Sequence, residues 1–560
     1  MSMQQRPLEL PELRRHIAQY LDQPTLKACT LVNRSWHSEF QPLVWQTFRF
    51  SSLLRRPLSD AGLGSISKYA IYIRRLCAHY LDDHTKIPAA LHSVLARQCQ
   101  SLTSLDTIIP NDAEWQVYTA LIAVNKQLQR VHLRNRHGFK QYIAADQLPP
   151  VLVGHQQLRL LTIDGSVSVA TLRQILETVP SLEEIHIGNA STPSLMLDMM
   201  KAITSNPPST APTTSLFKLQ RLDIDDVCED PAMATLLAQC PYLETLRLPN
   251  MTRPVCTALC KMFSIRGQFP QLRRLTLSSD KVNQHRRRAA ILESVPRQQL
   301  VQVALYTAGS DEIRQLIDRQ NHSLEDVFVR SDDHGLVVEF LARCRRLKRL
   351  SVDGDRLVDV RHLLAKTWVC QGLEVFDVAV GVDRQCKDAT MLGYAAAEKA
   401  GFAVKRSCSR RREEEGGGGA GVGGAGGTGG NAEDHRRMEH EQAEMLFLQR
   451  LGQLMQLRQL EKAVDNFFRP KVSSMDLSWR LSNGLLLLAG LSQLERLHLG
   501  SEPTQIGEAE LLFMKVHWPR LRLLNSYKPL PKEARDWIRV HWPGLKVDEG
   551  LFAPITLLPE

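Results

Sequence analysis

A pattern of Leu, two variable residues, a large apolar residue, one variable residue and a second large apolar residue recurs along the chain. Copies begin at Leu158 (LRLLTI), Leu182 (LEEIHI), Leu219 (LQRLDI), Leu243 (LETLRL), Leu272 (LRRLTL), Leu300 (LVQVAL), Leu324 (LEDVFV), Leu347 (LKRLSV), Leu373 (LEVFDV) and Leu494 (LERLHL). Weaker copies begin at Leu102, Leu128, Leu457 and Leu521. From Leu219 to Leu373 the starts are 24, 29, 28, 24, 23 and 26 residues apart, whereas Leu182 and Leu219 are 37 apart. The last two apolar positions flank one variable residue, the period-two mark of a short strand with one buried face. Between copies, segments such as TLRQILETVP (171–180), PAMATLLAQC (231–240) and GLVVEFLARC (335–344) carry apolar residues at helical spacing. A strand and helix this small cannot bury both apolar faces alone, so neighbouring units must stack with strands side by side on a concave face. The pattern predicts a curved α/β solenoid.

Prolines in VPSL, CPYL, FPQL and WPRL end the helix before a strand. Cys99, Cys240, Cys344 and Cys370 occupy the equivalent point, where small buried thiols are expected. The array is interrupted by the segment 405–440, whose glycine run loses much conformational entropy on ordering and offers no apolar surface in return, so a flexible insertion is expected there. From Glu441 to Phe468 the chain reads as a helix leading into a degenerate repeat, with Leu451, Leu454, Met455 and Leu457 at three- and four-residue steps.

Residues 7–48 follow another pattern. Leu13, Ile17 and Leu21 share one helical face; Asp22 and Pro24 cap and open a second helix through Leu26 and Cys29; Trp36 with Phe40 suggests a third. Three helices in about forty residues are too few for a self-sufficient core, so they must lean on the rest of the chain or on a partner. Leu10-Pro11-Glu12, Ile17, Tyr20-Leu21-Asp22, Leu26, Leu31-Val32-Asn33-Arg34-Ser35-Trp36, Leu43 and Trp45 resemble an F-box. With the leucine-rich repeats behind it and HWP segments at His517 and His541, the chain resembles the large fungal group of F-box and leucine-rich-repeat proteins, essentially everywhere outside the glycine insertion.

That resemblance implies an F-box over 1–50, a leucine-rich-repeat-like solenoid or irregular horseshoe over 51–404, the insertion over 405–440, and C-terminal repeats with a cap over 441–560. It further implies a non-enzymatic substrate receptor of an SCF-type cullin-RING ubiquitin ligase; the alternative is a repeat scaffold for protein–protein interaction with no link to ubiquitin, and the F-box-like segment is what discriminates the two. Leu10, Pro11, Ile17, Leu21, Leu26, Val32 and Trp36 match motif positions that face the Skp-type adaptor or the F-box core, two roles the sequence leaves unseparated. The repeats depart from the strict pattern in lacking a regular Asn or Cys ladder after the strand.

Composition narrows the remaining classes. Hydrophobic residues make up 43% and charged residues 23% of the 560, enough apolar material for a sizeable core. A formal charge of +10 over that length is too dilute to mark a nucleic-acid binder. The stretch GLLLLAGL (484–491) is far short of the roughly 20 residues of a membrane span, and nothing at the N-terminus reads as a secretory signal. Eleven scattered cysteines fit reduced thiols, so a cytoplasmic or nuclear protein without disulfides is expected.

No catalytic or cofactor chemistry is expected. The glycine run lacks the Gly-Lys-Ser/Thr of a phosphate loop, and His435, Glu439 and His440 lack metal-site spacing. Cys256 and Cys260, with Cys228 and Cys240 upstream, have no paired CxxC spacing and read as buried thiols. His79 to His84 (HYLDDH) has no nucleophile to serve, and Leu31-Val32 and Trp36 suit a buried face better than a DNA-reading helix. The basic runs Arg286–Arg288 and Arg410–Arg412 read as solvated surface.

A protein substrate is expected along the strand face. The residues expected to emerge there, Thr162, His186, Asp223, Arg247, Thr276, Ala304, Phe328, Ser351, Asp377 and His498, mix signs and polarity, unlike a groove for phosphates. Arg247, Phe328 and Arg349 are the expected anchors, because Arg and aromatic side chains dominate interface energetics, with Phe328 reading equally well as a cover for a neighbouring loop.

Overall fold

The computed structural model describes residues 10–49, 60–78, 89–109, 112–135, 145–188 except 166, 216–224, 232–248, 251–277 except 266, 285–381 except 307, 332, 334, 354–357 and 379, 430–461, 481–499 except 482–483, 506–526 and 529–549. The chain divides into two units, Met1–Leu272 and Arg273–Glu560.

The first unit opens with helices α1 (Pro11–Ala18), α2 (Gln23–Cys29) and α3 (Arg34–Trp45). Strands β1 (Thr47–Arg49), β2 (Arg75–Ala78), β3 (Ser104–Ile109), β4 (Arg130–Asn135), β5 (Leu160–Asp164), β6 (Glu184–Gly188), β7 (Arg221–Ile224) and β8 (Thr245–Leu248) follow. Each pairs in parallel with the next. Parallel pairing requires a crossover, supplied by helices such as Asp112–Val124 and Val169–Thr178. One register row, Phe48, Leu76, Leu105, Val131, Leu161, Ile185, Leu222 and Leu246, is buried throughout and forms the spine of the core.

Buried polar groups tie successive repeats together. Asn125 is fully buried; its Oδ1 accepts from the Leu102 amide at 2.8 Å, and its Nδ2 donates to the carbonyls of Cys99 and Leu121 at 2.7 and 2.8 Å. One side chain thereby satisfies three backbone groups at the turn between repeats, where an unmet buried partner costs about 1–3 kcal/mol.

The second unit repeats the architecture in strands β9 (Arg274–Leu277), β10 (Gln302–Leu305), β11 (Asp326–Arg330), β12 (Arg349–Asp353), β13 (Val358–Asp359), β14 (Val375–Val378), β15 (Val380–Gly381), β16 (Gln459–Glu461), β17 (Arg496–His498), β18 (Leu523–Ser526) and β19 (Lys546–Glu549). All are parallel in chain order, except that β13 and β15 form a separate pair. Strand β14 pairs directly with β16, Val375 opposite Gln459, although the glycine-rich segment separates them in sequence. The ladder continues beneath, with the Arg458 amide on the Glu374 carbonyl at 2.7 Å and the Glu495 amide on the Arg458 carbonyl at 2.7 Å.

Every repeat read from the sequence has its strand beginning two residues after the first leucine, as in β5 after Leu158 and β11 after Leu324. Two expectations fail. The segment expected to lack structure over 405–440 includes the start of a helix, Gly430–Gly452, because residues 431–442 (NAEDHRRMEHEQ) are mostly strong helix formers once the glycines end. That helix stops before Leu454, Met455 and Leu457, which instead form the turn into β16. The remainder of the glycine run and Arg410–Arg412 lie outside the described residues. Gly452 ends the helix where the backbone carbonyl of Leu487 passes so close that a Cβ would sit 2.0 Å from it, so only glycine fits.

The second failure is Arg286–Arg288 as a solvated run. Arg288 is fully buried, because it lies on the same face of the helix His285–Ser294 as Ile291 and Leu292, and its charge meets Glu312. The thiols of Cys99, Cys240, Cys344 and Cys370 are buried as expected, and burial pushes each up to about 12. No disulfide joins the described cysteines. No described helix is long and apolar enough to cross a membrane.

Candidate protein-binding surfaces

The three N-terminal helices form a small cluster. Ala18, Leu26 and Phe40 are buried, with Leu21, Cys29, Trp36, Leu43 and Val44 packed around them. Trp36 stacks on Phe40 with ring centroids 5.2 Å apart. Asp22 caps α2 by accepting the Thr25 amide at 3.0 Å, and hydrogen bonding to the Thr25 side chain and then to its amide holds the carboxyl below the usual range; Asn33 caps α3 by accepting the Trp36 amide at 2.9 Å. Helices α1 and α3 are joined by Arg14 Nη1 donating to Ser35 Oγ at 2.8 Å and by the Arg15–Glu39 ion pair at 3.0 Å.

The F-box-like positions separate into two groups. Leu26 is core at 7% exposure, and Leu21 and Trp36 pack against the same cluster, so these three hold the helices together. Pro11 and Ile17 are half-buried, and Leu10 and Val32 are exposed, Val32 by 58%. The buried face expected for Leu31 and Val32 is not found, because both fall in the turn between α2 and α3 and are 84% and 58% exposed; sequence reasoning thereby missed Leu31, and with it Tyr20 at 77%, as candidates. Both lie at helix junctions, off the four-residue spacing of Leu13, Ile17 and Leu21, and that mismatch was the signal available.

The second surface is the strand face turned away from the core, present in each unit. In the first unit one register row runs Arg49, Cys77, Asp106, His132, Thr162, His186, Asp223 and Arg247. Within it His186 meets two carboxylates: Nδ1 lies 2.8 Å from Asp223 Oδ2, and Nε2 lies 3.6 Å from Glu184 Oε2. Burial works against its charged form, but the hydrogen bond and charge of Asp223 outweigh it and raise its pKa. His132, two strands away, has its pKa lowered by burial, with Asp106 opposing too weakly.

A raised folded pKa means that the His186–Asp223 pair stabilises the fold below the unfolded histidine value of about 6.5 and that this contribution is lost as pH climbs through the folded value. An NMR titration of the His186 ring is expected to place its midpoint above about 6.5, and Asp223→Asn to bring it below, because burial and the Arg221 charge then outweigh the remaining pull of Glu184. An unchanged midpoint in Asp223→Asn would remove the pair from this account.

The expected anchors are all found on the outward strand face. Arg247 on β8 is half-buried. In the second unit Phe328 is also half-buried, since its ring leans on Tyr306 at a centroid distance of 4.9 Å, and Arg349 lies 3.8 Å from Asp326 on the neighbouring strand. Phe328 is therefore less free than an isolated exposed aromatic, although one edge remains available. Ser351 and Asp377 are buried beside it, with Ser351 Oγ donating to Asp377 Oδ2 at 2.6 Å.

Neither a protein-family model nor a curated protein sequence matches the chain. A solved structure, the crystal structure of the Rad7 and Elc1 complex in yeast, aligns with 98% of this chain and 98% of that chain at 10% identity and a TM-score of 0.30. At that score the likeness carries no argument about fold or role.

Among the described residues no three His, Cys, Asp or Glu side chains gather as a metal site would need. Cys256 is buried and Cys260 half-buried on the helix Arg253–Ser264. Cys228 and the HYLDDH segment at His79 to His84 lie outside the described residues, as do the side chains of His435, Glu439 and His440.

Proposed function

We propose that the chain is a non-catalytic substrate receptor of an SCF-type cullin-RING ubiquitin ligase, working in the cytoplasm or nucleus. Helices α1–α3 dock on a Skp-type adaptor, and a protein substrate is held on the outward strand face of each unit, through Arg247 in the first and through Phe328 and Arg349 in the second. The observation that carries the reading is the N-terminal unit itself. It has the F-box order of residues, an apolar core that among the described residues rests on the buried Ala18, Leu26 and Phe40, and large apolar groups left in water at Leu10, Tyr20, Leu31 and Val32. Exposed apolar side chains grouped in so small a unit are what a partner would cover.

Within that unit the roles divide by burial. Leu21, Leu26 and Trp36 preserve the helix arrangement, while Leu10, Val32, Tyr20 and Leu31 make the apolar contact, with Pro11 and Ile17 at its edge. Affinity capture of the full chain from cells is expected to recover a Skp-type adaptor, a cullin and one further specific protein. Recovery of the specific protein without adaptor or cullin would replace the reading with a repeat scaffold unconnected to ubiquitin.

A further inference from the structure

We infer that the outward face of β1–β4 binds an acidic segment of the partner protein, with Arg49, Arg75, Arg130 and Arg134 as its cationic contacts. The inference names the class of substrate for the receptor reading and rests on that reading for the word substrate, though not for the binding itself.

The outward positions of these four strands are Thr47 and Arg49, Arg75 and Cys77, Ser104, Asp106 and Ile108, and Arg130, His132 and Arg134. Four guanidinium groups stand against one carboxylate, a balance of +3. On β5–β8 of the same unit the charged outward residues are Arg221 and Arg247 against Asp164, Glu184 and Asp223, a balance of −1. The charge is thus segregated along one face.

Pairing sharpens the difference. Arg221 is matched by Glu184 at 3.5 Å and Asp223 at 3.7 Å, so the β5–β8 half neutralises itself. In the β1–β4 half, among the described residues, only Arg134 has a carboxylate, Asp106 at 3.3 Å, and it remains 42% exposed. Arg49, Arg75 and Arg130 are exposed and make no ion pair among the described residues. Their convergence shows at Cys77, half-buried on β2, where Arg49, Arg75 and Arg134 all bear on the thiol, although burial governs its pKa and raises it.

The spacing selects a polypeptide. Arg75 and Arg130 share a register row two strands apart through Ser104, so their backbones are separated by two strand spacings, roughly 10 Å. A peptide in the polyproline II conformation crossing the strands advances about 3.1 Å per residue with about three residues per turn, which brings carboxylates three residues apart onto one face over the two arginines. Each contact is exposed and weak alone, so affinity should come from several together and fall with salt. A nucleic acid would need the cationic track to continue, and here it reverses sign at β5–β8.

The test uses the full chain and a fluorescent peptide of about twelve residues with Glu at every third position, read by fluorescence anisotropy. A Lys counterpart and a single-stranded DNA oligonucleotide serve as comparison probes. The parent protein should bind the Glu peptide, not the Lys peptide, and weaken as salt rises. Arg75→Glu with Arg130→Glu should reduce affinity roughly tenfold or more, while Arg97→Glu on the outer helix Ala89–Gln98 should leave it unchanged. Unaltered binding by the double variant overturns the inference, as does oligonucleotide binding that is tighter than peptide binding and lost in the same variant. Adaptor capture is measured in parallel: its failure with Arg-dependent peptide binding intact would sink the ligase role alone, and the reverse outcome would sink only the acidic-segment site.

Discussion

Replacing Leu31 and Val32 together by Asp is expected to abolish adaptor capture while leaving the far-ultraviolet circular dichroism spectrum and melting temperature close to those of the parent. Both side chains lie in solvent, 84% and 58% exposed, so little packing is lost and the folded chain should shift by no more than about 0.5 kcal/mol. Covered by a partner, each would contribute about 1.5–3 kcal/mol, and a carboxylate in the same place adds a desolvation cost, so capture should fall more than a hundredfold. Phe40→Ala makes the contrasting case. Phe40 is 1% exposed and stacked on Trp36, so its truncation should cost about 3–5 kcal/mol and lose adaptor capture through unfolding of the cluster. Adaptor pull-down and circular dichroism on the two variants separate contact from scaffold, and full capture by the Asp pair would place the adaptor elsewhere.

That separation could not be made from the motif. Leu26 and Val32 are both apolar at F-box positions, and only the packing of α1, α2 and α3 around one cluster puts Leu26 inside and leaves Val32, in the turn after α2, in water. The solenoid was far more legible because its signal repeats: a slip of one residue would expose the whole row from Leu76 to Leu246, so each leucine constrains the register of its neighbours. Where the repeat is thin, the sequence falls silent. β2 closes on Ala78 instead of Leu or Ile, and β19 carries Val547 as its only large apolar residue, and neither matched the pattern. Phe328 looked free because its neighbour Tyr306 is distant in sequence and adjacent only across the β10–β11 pair.

The buried charge of the second unit was equally hidden, since Arg286, Arg287 and Arg288 are alike in sequence and differ only in the face they occupy. Arg288 is fully buried on one helix and Glu312 is 1% exposed on the next, Ser310–Gln320. Arg288 Nε donates to Glu312 Oε1 at 2.8 Å, and its Nη1 donates to the Tyr306 carbonyl at 2.6 Å. Glu312 Oε2 also accepts the Gly309 amide at 2.6 Å, closing the start of its own helix. Glu312→Leu leaves the guanidinium buried without its carboxylate, which is expected to cost about 3–5 kcal/mol and lower the melting temperature of this unit by on the order of 10 °C. Adding Arg288→Met removes the stranded charge, so the double variant should be more stable than Glu312→Leu alone, because an apolar pair of similar volume often replaces a buried ion pair without loss. Recovery should stop short of the parent, since the Gly309 amide still lacks its acceptor and an unmet buried donor costs about 1–3 kcal/mol. Denaturant unfolding of the parent, both single variants and the double variant gives the coupling directly. If the double variant is no more stable than Glu312→Leu, the destabilisation comes from the lost helix cap and not from the buried arginine.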